Sequence, residues 1–354
     1  VISTNPARSA FSPTLADQHK GEELSSHHVL TGSRVMITGG TGSLGRAFIR
    51  NALDTLGCDS VVVYSRDELK QRELREAFDH DRRLEWVIGD VRDPDRLRHA
   101  MRDVEHVVHA AALKQVDTAE RNCIEYIRTN VLGAQNVIDA AVETGVSRVV
   151  ALSTDKASSP VNLYGATKLC ADKLFVAASE YAGRRGTRFG VVRYGNVLGS
   201  RGSVIPLFKQ LAAAGKPITI TDKRMTRFWL SIEAAVRFIV ESFDQMSGGE
   251  IFVPRIPSMR VIDLAEAIAP RSPIHEVGIR PGEKLHEEMI SESDARRTVR
   301  LGDRYVVRSS LAEEADVPAG GTPVPDGFSY TSDKNDEWLS VADLRAEYAG
   351  AVSA

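Results

Sequence analysis

Cysteine is scarce: Cys58, Cys123 and Cys170 are the three in 354 residues. They lie far apart and outside any C-x-x-C spacing, so no disulfide framework or metal site is expected, and the thiols read as core or bystander groups in a reducing compartment. Long apolar runs are missing too. Nothing approaches the roughly 18 consecutive apolar residues that a bilayer span needs. Residues 1–32, rich in Ser, Thr, His and charge, contain no apolar h-region of a signal peptide and read as a flexible extension. No membrane partner is expected, and a cytoplasmic location is. Nor does one sign of charge dominate: 45 basic against 48 acidic residues, mixed along the chain, leave a formal net charge of −3. That excludes a broad basic surface for nucleic acid and requires any anion to be bound locally. Internal repeats and low-complexity tracts are absent, which sets solenoids aside. What remains is an ordinary globular composition, 42% hydrophobic and 26% charged, in a chain long enough for two compact units or one elaborated domain.

From Arg34 the pattern becomes regular. R-V-M-I-T is a short β-branched run, G-G-T-G-S-L-G follows, and Ala47, Phe48, Ile49 and Leu53 then recur at helical spacing. Further apolar runs at Val61–Tyr64, Leu84–Ile88, His106–His109, Arg148–Leu152 and Phe189–Val192 are separated by segments long enough for crossover helices. This alternation predicts an α/β fold, a Rossmann-type doubly wound parallel sheet with helices on both faces. The expected organisation is an extension over 1–32, a dinucleotide-binding domain over 33–195, a smaller interleaved substrate-binding lobe over 196–310 with a strand near 250–254 returning to the sheet, and a looser tail over 311–354.

Gly39, Gly42 and Gly45 fall where the first strand ends. A tight turn and close backbone approach to a pyrophosphate need residues without a β-carbon there, and the next helix directs its N-terminus at the phosphates. Thr41, Ser43 and Leu44 belong to the same turn. The second strand runs into Tyr64-Ser65-Arg66 rather than into the acidic residue usual for NAD. A guanidinium with a small hydroxyl beside it suits a 2′-phosphate, so the cofactor read here is NADP; the competing reading leaves Arg66 solvated, with Asp67 as the acid. Asp90-Val91 and Ala110-Ala111-Ala112 sit at the next strand ends, where contact with the cofactor and simple packing are both open readings.

Tyr164 and Lys168 are four apart, hence on one face of a helix. A phenol is a poor base at neutral pH, but a neighbouring ammonium and an oxidised nicotinamide both favour phenolate, so a sugar hydroxyl can lose its proton as hydride leaves. Ser153-Thr154 closes the strand before them, and Asp155-Lys156 follows directly.

With the glycine turn and the Thr154, Tyr164 and Lys168 set in view, the sequence resembles the extended short-chain dehydrogenase/reductase family over roughly Ser33 to Ser309. Four segments are more specific: S-T-D-K-A-S-S-P-V-N-L-Y-G-A-T-K, R-Y-G-N-V-L-G-S-R-G-S-V, M-T-R-F-W-L and I-R-P-G-E-K-L-H-E. These are similar to the inverting UDP-N-acetylglucosamine 4,6-dehydratases. The resemblance implies that Tyr164 deprotonates the carbon-4 hydroxyl, that Lys156 removes the carbon-5 proton, and that Asp155 protonates the departing carbon-6 hydroxyl. It further implies return of hydride to carbon 6 and inversion at carbon 5. In retaining relatives the dipeptide is Asp-Glu, so Lys156 marks the inverting class. Such chemistry needs Lys156 uncharged and Asp155 protonated when they act, and desolvation with repulsion from Lys168 and the nicotinamide is the expected means for Lys156.

A UDP-sugar also brings two phosphates. Arg201, Arg227 and Arg280 lie in the family-like segments, Asn196 matches a position near the diphosphate, and Glu283 offers acceptors to a ribose; Lys114 is placed to reach the sugar. Each of these is nearly as easily a solvated surface residue. Self-association as a dimer or hexamer is implied by the resemblance. The competing functions are a nucleotide-sugar epimerase or retaining dehydratase and, further off, a catalytically inert NADP-binding regulatory protein.

Overall fold

The computed structural model describes residues 28–182, 186–198, 204–309 and 317–352. Its frame is set by β1 (Arg34–Thr38), β2 (Ser60–Ser65), β3 (Leu84–Ile88), β4 (His106–His109), β5 (Arg148–Thr154) and β6 (Arg188–Tyr194). They lie side by side in the order β3-β2-β1-β4-β5-β6, all parallel. The β-branched runs form strands because both faces of the sheet are covered. Met36, Val62, Val107, Val149 and Val191 join the apolar cluster on one face, while Val35, Ile37, Val61, Val63, Val108, Val150 and Val192 join the cluster on the other. This is the two-residue alternation of a strand, with each side chain fully removed from water contributing roughly 1.5–3 kcal/mol.

The crossovers supply the covering layers. Helices α1 (Ser43–Asp54) and α2 (Glu68–Ala77) lay Phe48, Ile49 and Leu74 on the second face, beside Phe238, Ile239 and Phe243 of the helix Ile232–Gln245. On the first face lie α3 (Pro94–Ala100), the short turns α4 (Val116–Ala119) and α5 (Cys123–Tyr126), a π-helical stretch Ile127–Leu132, then α6 (Gly133–Thr144) and α7 (Leu163–Ala182). Leu97, Val137, Ile138, Ala171 and Phe175 fill that side.

Beyond β6 the sheet continues. Glu250–Pro254 pairs parallel to β6, and Arg304–Val307, Thr298–Leu301 and Thr322–Pro323 follow antiparallel. Read from sequence as a looser tail, the segment after 311 therefore supplies part of the sheet edge. Tyr330–Thr331 also pairs with Glu288–Ile290, and the buried Tyr330 hydroxyl donates to Ile256 O at 3.0 Å while accepting from Ile256 N at 3.0 Å. Tail packing of this kind carries no periodic signal of its own. A smaller lobe forms a third core around Phe208, Ile218, Trp229, Met259, Leu264 and Leu339, with Thr226–Leu230 joining Ser258–Arg260 to Asn196–Val197. No described helix is long and apolar enough to cross a membrane.

Candidate active site

Because every strand from β1 to β6 points the same way, their C-terminal ends share one edge of the sheet, and ligands collect in the crevice where strand order reverses. A cavity of about 590 Å³ opens there, walled by residues that end or follow these strands: Gly39, Thr41–Gly45, Tyr64–Asp67, Gly89–Val91, Ala110–Ala112, Leu152–Lys156 and Tyr194–Val197. From α7 come Tyr164 and Lys168.

The glycine turn is built by close approach. A β-carbon on Gly45 would lie 2.3 Å from Gly40 O, so only glycine lets the first turn of α1 rest on the loop. Gly42 caps that helix without any side-chain hydrogen bond, and the N-terminus of α1 faces the cavity, where a helix start favours an anion. At the end of β2, Ser65 is buried and its Oγ accepts from Gln71 Nε2 at 3.1 Å. Asp67 turns away to cap α2, accepting from Lys70 N at 3.0 Å and facing Lys70 Nζ at 2.6 Å. Arg66 stays half exposed, 3.4 Å from an Asp90 carboxylate that Arg92 already grips from Nε and Nη2. Below the turn, Thr38 Oγ1 contacts His109 Nδ1 at 2.9 Å and accepts from Ala111 N at 3.2 Å. Burial, with Lys168 nearby, pulls His109 down to about 3, so the ring is neutral.

Opposite the turn, β5 ends in Thr154 and the chain makes a single 3-10 turn, Asp155–Ala157. That turn docks on the start of α7 because residue 165 is glycine: a β-carbon there would meet Lys156 O at 2.2 Å. Docking brings the ionisable groups together. Thr154 Oγ1 donates to Asp155 Oδ1 at 2.8 Å, Lys156 Nζ donates to the same oxygen at 3.1 Å, and the Tyr164 phenol hydrogen-bonds Thr154. One turn further along α7, Lys168 Nζ donates to Leu152 O at 2.7 Å. The buried Asp172–Arg193 pair, 3.1 Å apart, ties α7 to β6, and Ser153 Oγ donates to Asp172 at 2.8 Å to tie in β5. Burial pushes the Tyr164 phenol up to about 12, with Lys156 pulling back and Asp155 adding to the rise. Lys168 is held below its ordinary range by burial, which Asp172 partly opposes.

Lys156 departs from expectation. Burial disfavours its charge, but Asp155 and a second carboxylate, Glu287, outweigh that and hold the ammonium above the usual lysine range. Glu287 Oε1 lies 3.4 Å from Lys156 Nζ and 3.4 Å from Arg227 Nε. Repulsion from Lys168 is therefore not what governs Lys156 here; flanking carboxylates do.

The substrate residues read from sequence divide. Lys114 and Asn196 line the cavity, and Asn196 Oδ1 is buried with no hydrogen-bond partner among the described residues. Arg227 requires correction as a diphosphate cation. Its guanidinium is buried and donates to Thr226 O, Leu285 O, Lys284 O and Met225 Sδ, besides facing Glu287, so its donors are engaged within the protein. Arg280 and Glu283 face each other at 3.9 Å and do not line the cavity, although their loop is anchored beside α7 by Asn162 Nδ2 donating to Gly282 O at 2.8 Å. Arg201 lies outside the described residues. Reading by sequence missed Glu287, Tyr194 and Thr129; the last two line the cavity, and Thr129 sits in the π-helical stretch. Glu287 and Tyr194 were present in the family-like segments, but nothing in their spacing says which side chains turn inward.

This assembly offers a phosphate cradle, a phenol, two ammonium groups and a carboxylate within one cavity, a set suited to oxidation at a hydroxyl coupled to proton transfer at neighbouring carbons. Comparison with known proteins agrees with that chemistry. A family model described as polysaccharide biosynthesis protein matches residues 35–309. A UDP-N-acetylglucosamine 4,6-dehydratase (inverting) from Campylobacter jejuni subsp. jejuni is 51% identical over 325 residues, 89% of this chain and 97% of that one. Among solved structures, Pen from Bacillus thuringiensis superposes with a TM-score of 0.84 at 36% identity, covering 91% of this chain and 99% of that one. DesIV, a dTDP-glucose 4,6-dehydratase from Streptomyces venezuelae determined with NAD and TYD bound, superposes with a TM-score of 0.65 at 28% identity over 71% of this chain and 86% of that one. From the family match and the Campylobacter relative together, the chain belongs to the polysaccharide biosynthesis protein family.

Proposed function

We propose that this protein is an NADP-dependent nucleotide-sugar 4,6-dehydratase acting on UDP-N-acetylglucosamine, which it converts with inversion at carbon 5 to a UDP-2-acetamido-2,6-dideoxy-4-keto-L-arabino-hexose. The observation that carries this reading is the contact of Asp155 and Lys156 beside Tyr164 at the cavity wall, together with the activity named for the Campylobacter relative. Oxidation alone needs only Tyr164 and Lys168; an acid and a second base have a task when water is eliminated.

The residues fit a dinucleotide phosphate. Gly39, Thr41, Gly42, Ser43, Leu44 and Gly45 would hold its pyrophosphate at the N-terminus of α1, with Ser65 and Arg66 at the 2′-phosphate and Asp90, Val91 and Ala110–Ala112 along the remainder. Bound there, the nicotinamide supplies the hydride acceptor that carbon 4 requires and the donor that carbon 6 requires. Tyr164 takes the proton of the carbon-4 hydroxyl, and Lys168 fixes the electrostatics of that helix face. The ketone so formed acidifies carbon 5. Lys156, as the free amine, removes the carbon-5 proton, and Asp155, as the neutral acid, delivers its proton to the carbon-6 oxygen, which leaves as water. Lys114 and Asn196, which also line the cavity, hold the sugar nucleotide.

Purified protein incubated with NADP and UDP-N-acetylglucosamine in D₂O should release a product lighter by one water, deuterated at carbon 5 and of L-arabino configuration by NMR. An unchanged product mass would instead identify an epimerase. Lys156→Ala is expected to bind NADP normally and to lose carbon-5 exchange; full exchange in that variant would refute the assignment.

A further inference from the structure

The proposed elimination needs Lys156 neutral and Asp155 protonated, whereas the resting cluster holds Lys156 charged between two buried carboxylates. Glu287 is 2% exposed and is fixed from three sides. Its backbone N donates to Ser332 Oγ at 2.9 Å, its carbonyl accepts from Ser332 N at 2.8 Å, and its Oε1 faces both Arg227 and Lys156. Its other oxygen, Oε2, is buried with no hydrogen-bond partner among the described residues, and the same is true of Asp155 Oδ2. Two unsatisfied carboxylate oxygens around one ammonium are a costly arrangement for a purely structural ion pair, since buried acceptors are ordinarily bonded. The next residue reinforces the contact. Glu288 Oε2 accepts from Ser158 Oγ at 2.8 Å and from Ser159 Oγ at 2.5 Å, and it thereby braces Ser159 in the left-handed region at φ +43°. The segment 287–288 thus clamps the turn that carries Asp155 and Lys156.

We infer that Glu287 is a positioning residue for the elimination: backed by Arg227, it holds the Lys156 nitrogen against Asp155 so that one proton transfer along their contact readies both groups. In that transfer the Nζ–H bond breaks, its electron pair stays on nitrogen, and the proton bonds to Asp155 Oδ1. Opposite charges become a neutral amine and a neutral acid, the two forms the chemistry requires. The inference rests on the proposed role of Lys156 as the carbon-5 base. Among the described residues, the charged and titratable groups around Lys156 are Asp155 on its own turn, Tyr164 on α7, Arg227 on the strand Thr226–Leu230, and Lys284 and Glu287 on the late segment. Lys284 is turned to Ser158 O at 2.6 Å, and Glu288 to the two serines. Glu287 and Arg227 are therefore the pair that biases Lys156 in opposite senses.

The test is the pH dependence of carbon-5 deuterium exchange in full-length protein with NADP and UDP-N-acetylglucosamine. A rising limb reports loss of one proton from the doubly protonated Lys156–Asp155 pair, and Glu287→Gln removes a negative charge that favours that form, so the limb should move to lower pH by about one unit, with a lower plateau. Glu287→Asp should restore the wild-type limb. Arg227→Gln removes a repelling cation and should move the limb to higher pH, and either variant suffices if the other fails to fold. Opposite displacements cannot arise from general destabilisation. Unmoved limbs in folded variants that bind both ligands would overturn the inference while leaving the function intact. Persistence of exchange in Lys156→Ala would instead overturn the function beneath it.

Discussion

Replacing Arg66 with alanine is expected to weaken NADP binding and leave NAD binding alone. The side chain is 51% exposed, and its one described ion pair is a 3.4 Å contact with Asp90, a carboxylate that Arg92 already satisfies at 2.7 Å. Removing Arg66 should therefore cost the fold little, and its effect should appear when a 2′-phosphate is present. A unit charge pair 4 Å apart is worth about 1 kcal/mol in a water-like dielectric, and a phosphate near its second ionisation carries close to two charges. Screening at physiological salt removes nearly half of that. About 1–2 kcal/mol remains, a five- to thirtyfold rise in the NADP dissociation constant. Titration calorimetry with both nucleotides, at low and physiological ionic strength, measures it directly. The NADP penalty should shrink with added salt, and NAD affinity should stay within about twofold, as expected for a contact that NAD does not make. Equal losses for the two nucleotides, or no loss for NADP, would refute the assignment of Arg66 and with it the cofactor preference.

Two further predictions probe the architecture. Gly165→Ala places a β-carbon where Lys156 O now lies, 2.2 Å away, so the turn bearing Asp155 and Lys156 must shift. Carbon-5 exchange is expected to fall at least about tenfold, since small misplacements of reacting groups are expensive; NADP affinity should hold because the glycine turn lies elsewhere, and wild-type exchange would disprove the docking argument. His109 concerns acid stability. Its folded value of about 3 lies below the ordinary 6.5, so its contribution is complete above pH 6.5, declines as pH falls between those values, and is gone below about 3. The decline is about 1.4 kcal/mol per pH unit at most. His109→Gln keeps an acceptor for Thr38 and should flatten the dependence of unfolding free energy on pH over that range in urea denaturation, whereas an unchanged slope would show that His109 is not what titrates.

Much of the molecule is legible in its sequence. β1, β2 and β5 announce themselves because a strand covered on both faces must be largely apolar, and R-V-M-I-T, S-V-V-V-Y-S and R-V-V-A-L-S-T are such runs. Gly39 and Gly45 were readable because a turn with no room for a β-carbon favours glycine, and Tyr164 with Lys168 because helical periodicity places residues four apart on one face. These are local constraints, each written within a few neighbouring positions. The late elements were harder. Thr322–Pro323 and Tyr330–Thr331 are two-residue strands whose register depends on partners already in place, so no periodicity marks them. Arg227 and Glu287 show the same limit at the site. Both lay in recognisable segments, yet a guanidinium in a polar stretch reads as a phosphate ligand until the fold shows its donors occupied by Thr226, Leu285 and Lys284. The charge of Lys156 depends on Glu287, a residue more than a hundred positions away in the chain. By itself, then, the sequence determined the strand order's raw material, the glycine turn and the candidates for the proposed reacting groups, because steric fit and periodicity act between near neighbours. Only the tertiary structure decided which charges face one another, because electrostatic interaction depends on distance and burial in space, and neither is encoded by spacing along the chain.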